Sequence, residues 1–252
     1  MNIMNFPLVL FVCSLIVLWV ATRFGALLRK RGKVLQEDDL QDLNFVTGAV
    51  LTLLGLLIGF SFSMAISRYD QRKNYEEEEA NAIGTEYVRT DFLPGEDAAA
   101  VRGLLRKYLD QRVLFYQTRN PRRLDEINAE TARLQNEMWS KVRAAAAAQP
   151  NPVMAVVVSG MNDVLNTQGY TQAAWWNRIP LAAWGLMAAI SIGCSMLIGL
   201  SVRHPRRLVF VIVPVAVSIS FLLIADIDSP RGGLILVTPQ NLLSLSQSLQ
   251  SQ

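Results

Sequence analysis

The residue types that most often carry catalysis are scarce in this sequence. Its 252 residues include one histidine, His204, and two cysteines, Cys13 and Cys194. His204 stands in a short basic stretch with no nucleophile motif beside it, and both cysteines fall inside long apolar runs. A Ser-His-Asp or Cys-His arrangement would have to use that histidine. No CxxC, HExxH, GxGxxG or P-loop motif is present. We therefore expect neither enzymatic activity nor a metal or cofactor site.

Carboxylates near the end of the chain form the first set of groups that could act on ions. Asp226 and Asp228 follow the last apolar run, and Arg231 comes directly after them in a Pro/Gly-containing turn. Carboxylate oxygens bind hard cations, and they also pair with arginine. Two carboxylates make few ligands for a cation, so the sequence favours pairing with an arginine in this post-span acidic turn.

A second set of charges follows the second apolar run. It begins with Arg68 and Arg72 and continues through Glu76 and Glu79. Opposite charges three or four residues apart stabilise an exposed helix. In a symmetric assembly each of these charges would form a ring, and such rings line channel entrances. We keep both interpretations, with Met64 as the apolar residue that precedes this pore or vestibule lining.

Four apolar runs must position these groups. They cover residues 6–28, 45–66, 179–202 and 208–225. Each gives roughly 27–35 Å of helix, which matches a hydrocarbon core of about 30 Å. Half of the chain (51%) is hydrophobic and only 18% is charged. The sequence therefore predicts an all-α membrane protein with four transmembrane helices.

The one sizeable polar region lies between the second and third spans and has a helical pattern throughout. The second span runs into it without a break, and helix breaks follow at Pro94-Gly95, Asn120-Pro121 and residues 149–152. We divide the chain into spans 1 and 2 with their basic connection (1–67), a helical extramembrane domain (68–177), spans 3 and 4 (178–228) and an extension (229–252).

Two rows of residues on the second span have a spacing of four, which keeps each row on one helix face. Small residues form one row in this span and recur in the third: Gly55, Gly59 and Ser63, then Ser191, Ser195 and Gly199. Small residues permit close approach between membrane helices, so we interpret them as packing positions. The other row is Thr52, Leu56, Phe60 and Met64. Around an axis of symmetry it would form an apolar constriction of the kind that gates channels by dewetting.

Motifs along the second span and after the fourth resemble a known family. Gly59-Phe60 and Ser67-Arg68-Tyr69 stand at a spacing similar to that in bestrophins, which are pentameric ion channels. The segments "EANAIGTEYVRTDFLP" and "DIDSPRGGLILV" resemble the bacterial bestrophin-like domain proteins. The resemblance implies a homopentamer in which the second span lines a central pore, with its constriction at Thr52, Leu56 and Phe60. Thr52 departs from the apolar pattern, and the calcium-binding acidic run of animal bestrophins is absent.

The basic residues around the spans bear on orientation. Residues 29–33 and 203–207 are rich in arginine and lysine, and in a four-span protein both lie on the same side. The positive-inside rule places that side in the cytoplasm. The helical domain would then lie outside, in the periplasm of a bacterial inner membrane, whereas the resemblance to bestrophins implies the cytosolic side. We favour the periplasmic side.

The sequence thus predicts an oligomeric ion channel or pore with membrane lipid and inorganic ions as its partners, and no nucleic acid. The rival hypothesis is a non-conducting membrane scaffold or signalling subunit that binds a partner protein. Its contact surfaces would be residues 153–165 and a stripe formed by Leu242, Leu245 and Leu249.

Overall fold

The computed structural model describes residues 6–31, 37–201 and 209–251, and within these ranges the protein is all α-helical without a strand. The helices are α1 (Pro7–Arg31), α2 (Glu37–Arg89), α3 (Gly95–Gln117), α4 (Pro121–Ala148), α5 (Pro152–Trp176), α6 (Leu181–Ser201), α7 (Val209–Asp228) and α8 (Gln240–Gln250). A single 3₁₀ turn at Thr90–Phe92 follows α2. His204 and the basic connection at 203–207 lie outside the described residues.

Four helices are long and apolar enough to cross a membrane, and they include α1, the first part of α2, α6 and α7. These spans make up one of two compact units, Met1–Arg68 with Arg178–Leu236. Helix α1 packs on both α6 and α7. At the contact with α6, a Cβ atom on Gly25 would overlap the backbone of Met196, and one on Gly199 would overlap the backbone of Thr22. The two backbones touch here because neither residue carries a side chain.

Helix α2 is a single element of 53 residues, about 80 Å long at about 1.5 Å per residue. It contains no proline, and it has no break where its apolar part gives way to charges. It ends in the 3₁₀ turn, whose last hydrogen bond joins Leu93 N to Thr90 O at 3.0 Å. Pro94 follows this turn and starts α3, so the predicted break is found there.

The second compact unit contains Tyr69–Asn177 and Val237–Gln252. Two of its helices, α4 and α5, each begin with an asparagine cap that is followed by proline. The Asn120 side chain accepts a hydrogen bond from Arg122 N, and the Asn151 side chain accepts one from Met154 N. Side-chain caps satisfy amides that lack a partner in the first turn, and proline fits the first helical position. Residues 237–252, which include α8, belong to this helical unit.

Several residues of the two surfaces that the scaffold hypothesis assigned to a partner protein are buried in the core of the helical unit. Within residues 153–165 of α5, the side chains of Val157, Met161 and Val164 are buried in this core. Helix α8 packs on α3, and its Leu242 and Leu249 are buried there as well. One face of each segment is thus covered by its own unit, whereas Val153 and Val156 remain exposed. Residues 234–238 form no strand and lead to α8.

Candidate pore-lining face

One face of α2 in the membrane unit is exposed among the described residues of the single chain. Leu56 is 55% exposed, Phe60 62% and Met64 39%, and Thr52 one turn earlier is exposed too. The hydroxyl of Thr52 donates to Gly48 O at 2.9 Å. Its donor is therefore used inside the helix, and this threonine interrupts the apolar row less than its residue type suggests.

This face lies opposite the stripe by which α2 packs in its own unit. The stripe is formed by buried residues seven apart: Leu40, Thr47, Leu54 and Ser61. Leu54 and Leu56 are two positions apart, or about 200° around a helix with about 3.6 residues per turn. The four candidate spans can be compared by the buried share of an apolar stretch of 18 residues in each. This share is smallest in α2, at 17%, and largest in α7, at 50%. Among the four candidate spans, the apolar stretch of α2 is thus the least covered.

The predicted packing residues of the second span lie at the edge of the same uncovered surface. A Cβ atom on Gly55 or Gly59 would have no other atom within 4 Å beyond the local helix backbone. Ser63 is exposed as well. Within the described ranges, these residues therefore leave room for a close neighbour on this side of α2. In α6, by contrast, Ser191, Ser195 and Gly199 are buried within the unit.

The acidic turn after α7 ties together the end of the membrane unit. Asp226 accepts hydrogen bonds from Leu234 N and Ile235 N, both at 2.8 Å. Asp228 accepts from Ile179 N at 3.2 Å and pairs with Arg68 at 3.5 Å. An arginine from outside this turn, Arg68 of α2, therefore pairs with Asp228. Both carboxylates serve the polypeptide itself, which agrees with a structural role for this turn.

The expected vestibule lining needs a correction for three of its residues. Arg72 and Glu76 are each 1% exposed and Glu79 is 0% exposed, so they face the interior of the helical unit. The reason is geometric, because their spacing of three and four residues puts them on the face of α2 that packs in that unit. Met64 and Arg68 belong to the membrane unit, where Met64 is exposed and the Arg68 side chain is 14% exposed.

Glu79 is held by a buried ion pair. Its carboxylate binds Nε of Arg112 on α3, and both side chains are fully buried. The hydroxyls of Tyr116 and Thr171 donate to its second oxygen at 3.3 Å each. Burial alone would lower the pKa of Arg112, but the negative charge of Glu79 outweighs it and the pKa is raised. The guanidinium also lies 4.3 Å from the ring centre of Phe115, a cation–π contact.

Glu76 holds the start of α8. It accepts hydrogen bonds from the side-chain amide of Asn241 at 2.6 Å and from Leu242 N at 3.0 Å. A carboxylate that receives a helix's first amides satisfies donors that have no partner in the helix. The glutamate therefore anchors α8 to α2 and is not available to solvent.

Comparison with known proteins identifies the family of this chain. The profile of the bestrophin-like domain family matches residues 8–242, which is most of the chain. This chain belongs to the bestrophin-like domain family. No curated protein sequence matches it significantly.

Solved structures share the fold of this bestrophin-like chain. A crystal structure of a bacterial bestrophin homologue from Klebsiella pneumoniae, phased with zinc, is 15% identical, and the match covers 95% of this chain and 97% of that chain with a TM-score of 0.65. A variant of that homologue with one substitution is 16% identical over 96% of each chain, also at a TM-score of 0.65. A second variant is 13% identical over 95% of this chain and 97% of that chain, at 0.62. These identities establish a common fold.

In the described part of the bestrophin-like chain, no three His, Cys, Asp or Glu side chains converge on one point. Cys194 is buried among the spans, whereas Cys13 is exposed on α1.

Three features escaped the sequence reasoning. Arg112 looked like one more charge on an amphipathic helix, and its partner is 33 residues away. Gly25 stood alone in an apolar run, so its contact with α6 left no local pattern. Gly160, which packs against Glu86 and Arg89, looked like an ordinary helix residue. An unusual glycine inside a helix was the only signal for the last two.

Proposed function

We propose that this protein is the subunit of an oligomeric membrane ion channel, with the α2 helices around a central pore. The observation that supports it is the uncovered row Leu56, Phe60 and Met64, which lies opposite the packing stripe of α2. In a ring of copies, this row would form successive apolar constrictions. Such constrictions exclude water when closed and pass ions when widened.

The small residues beside this row favour another protein helix, and not lipid alone, as its neighbour. Lipid accounts well for exposed apolar side chains such as Ile16 on α1, which is 56% exposed. Lipid does not require small residues, however, whereas close contact between helices does. Gly55 and Gly59 have open space around them. They would let neighbouring copies of α2 approach each other while the Leu56 row turns to the axis.

The charges available to a pore entrance differ from those expected at first, because Arg72, Glu76 and Glu79 are internal. The exposed charged residues on this part of α2 are Asp70, Lys73, Glu77 and Glu78. Three of these four are acidic. Rings of carboxylates raise the local concentration of cations. We therefore assign any electrostatic influence on permeation to these four residues.

The assembly and its location complete the proposal. The family resemblance implies a homopentamer in a bacterial inner membrane, and the basic connections favour a periplasmic helical unit. Glu96 is exposed at the start of α3 and gives a labelling position. In a Cys13→Ser background, Glu96→Cys should react in whole cells with a membrane-impermeant maleimide. Reaction only after the cells are broken would place the unit in the cytoplasm.

Conductance in planar bilayers tests the function. Purified wild-type protein should give ionic currents, and replacing Leu56 and Phe60 together by alanine should raise the open probability, because smaller side chains widen the constriction. Ile16→Ala is the matched control, since it shortens an exposed apolar side chain on α1. Unaltered open probability and current in the double variant would move the gate elsewhere.

Symmetry separates the channel from the scaffold. Electron-microscopy projections along the membrane normal should show a closed ring with α2 nearest its axis. A monomer, or a dimer whose α2 helices pack together, would leave no pore and would favour the scaffold.

A further inference from the structure

Glu86 is a buried carboxyl group without the partners that hold the other buried glutamates of α2. Its side chain is 0% exposed. Among the described residues neither of its oxygens has a hydrogen-bond partner. The nearest cation is Arg89, whose Nη1 lies 4.0 Å from Glu86 Oε2. That separation is too long for a hydrogen bond.

The facing helix is shaped to receive this group. A Cβ atom on Gly160 of α5 would overlap both Glu86 Oε2 and Arg89 Nη1. Any other residue at position 160 would push these side chains away from α5. The α2–α5 contact at this level is therefore a carboxyl group and a guanidinium lying on a bare stretch of helix backbone.

Two charged groups act on Glu86. Arg89 lies on its own helix and Asp163 on α5, one turn after Gly160. Burial raises the pKa of Glu86 to about 8, Arg89 opposes this shift, and Asp163 adds to it. At neutral pH Glu86 is then protonated and uncharged, in contrast to the ion-paired Glu79. A neutral carboxyl group is compatible with its burial, because transfer of an unpaired carboxylate from water is costly.

Solvent reaches this contact through a neighbouring groove. The groove has a volume of about 440 Å³ and runs between α2 and α5. Arg89, Gly160 and Asp163 belong to its lining, together with polar residues such as Asn166 and Tyr170. Glu86 itself does not line the groove and is fully buried next to the lining residues Arg89 and Gly160.

We propose that Glu86 is a proton-binding site that keeps α2 and α5 in contact while it is protonated and loosens this contact when it ionises. Once charged, the carboxylate requires hydrogen bonds or a closer cation. Arg89 must then move inward over Gly160, or water must enter from the groove, and either change separates the two helices locally. This inference does not depend on ion conduction.

Hydrogen exchange of the full-length protein in lipid nanodiscs tests the proposal. Peptides covering 157–164 of α5 are compared between pH 6.5 and pH 9.5, after correction for the intrinsic pH dependence of exchange. The contact holds one more proton when closed than when open up to a pH of about 8, so wild-type protection should fall by up to about tenfold per pH unit from pH 6.5 towards 8 and then level off. Equal protection over the whole range would overturn the proposal.

Variants assign the effect to Glu86. Glu86→Gln keeps the shape and remains neutral, so the protection of α5 should become independent of pH. Glu126→Gln changes an exposed glutamate on α4 and should behave as wild type. A Glu86→Gln protein with the wild-type pH dependence would also overturn the proposal. So would full restoration of protection at pH 9.5 by added MgCl₂ or NaCl, because the site would then bind a metal cation.

A measurement on the wild type covers the case in which the variant does not fold. The infrared spectrum at pH 7 should contain the carbonyl band of a protonated carboxylic acid, and this band should disappear as the pH passes about 8. Its absence at pH 7 would mean that Glu86 is already ionised, and the proposed switch would not exist.

Discussion

Three buried glutamates within about three turns of α2 show that burial alone does not determine what a carboxyl group does. Glu79 is hydrogen-bonded to an arginine and Glu76 to the amides at the start of α8, whereas Glu86 has no hydrogen-bond partner among the described residues. An ion pair or amide hydrogen bonds stabilise the charged form, whereas desolvation favours the neutral form. The same residue type therefore serves as an ion-pair partner, a helix anchor and a proton-binding group within three turns.

The Glu79–Arg112 pair gives a prediction about stability. Arg112→Met would leave a buried carboxylate without its cation, and removal of one partner of a buried pair costs about 3–5 kcal/mol. The double variant Glu79→Leu/Arg112→Met should recover part of that loss, because no charge is left buried. Thermal unfolding of the purified full-length protein measures both.

A surface arginine provides the control for this prediction. Arg133 on α4 binds Glu130 at 2.6 Å and Glu137 at 2.8 Å, all three being exposed. Arg133→Met should leave the unfolding temperature almost unchanged, because exposed pairs are screened by solvent. Equal effects of Arg112→Met and Arg133→Met would contradict the special role of the buried pair.

Glu86 predicts a pH dependence of stability with a definite sign. The pKa of Glu86 is raised from 4.5 to about 8 on folding, so between these values the folded protein holds one more proton than the unfolded chain. The stability from this group is complete below about pH 4.5, falls as the pH rises towards 8, and then levels off. The slope is about 1.4 kcal/mol per pH unit at most.

Unfolding temperatures of wild type and Glu86→Gln at pH 5, 6.5 and 8 check this sign. The variant should gain stability relative to the wild type at each step. A constant difference between the two proteins would show that Glu86 does not titrate in this window.

At the scale of elements, the α1–α6 contact depends on two glycines whose backbones touch. Gly199→Ala should destabilise the membrane unit, because the added methyl group overlaps the Thr22 backbone, which cannot move as a flexible side chain can. Overpacking of this kind typically costs about 1–3 kcal/mol. Gly193→Ala on the same helix is the matched control, since a Cβ atom there has nothing within 4 Å. Thermal unfolding in detergent should separate the two variants.

The spans and helix breaks could be predicted from the sequence because their causes are local. The four apolar runs correspond to α1, the first part of α2, α6 and α7, and the all-α fold is confirmed. Proline and asparagine at 94, 120–121 and 150–152 end or begin helices where expected. A hydrophobic period or a proline acts on its own neighbourhood, so one sequence is enough to recognise it.

The environment of the charged residues could not be predicted in the same way. Arg72, Glu76 and Glu79 have a spacing that suits a solvated helix as well as a buried one. The buried environment is set by contacts with Arg112 of α3 and Asn241 of α8. These partners are distant in sequence, and no local pattern encodes the pairing. The Leu56 row remains a prediction for the same reason, since its neighbours lie outside a single chain.

At the scale of the whole molecule, a ring of subunits has a direct chemical test. In a Cys13→Ser background, Leu56→Cys should form disulfide-linked dimers on mild oxidation, because symmetry brings equivalent α2 positions close to an axis. Ile16→Cys on α1 has a similar exposure, 56% against 55%, but faces lipid in the proposed assembly. It should cross-link much less. Equal cross-linking at both positions, read on non-reducing gels, would argue against a central position for α2.

The helical unit is assembled from two stretches of chain, Tyr69–Asn177 and Val237–Gln252, and α6 and α7 are synthesised between them. During translation, α3 to α5 are made before α8, so the surface of α3 that α8 covers is at first exposed. Leu242 and Leu249 can join the core of the helical unit only after both later spans have been synthesised. The unit's core therefore cannot close before membrane insertion of these spans is under way. Until then, the apolar surface of the unfinished unit is exposed, and a chaperone that binds apolar surface would protect it from aggregation.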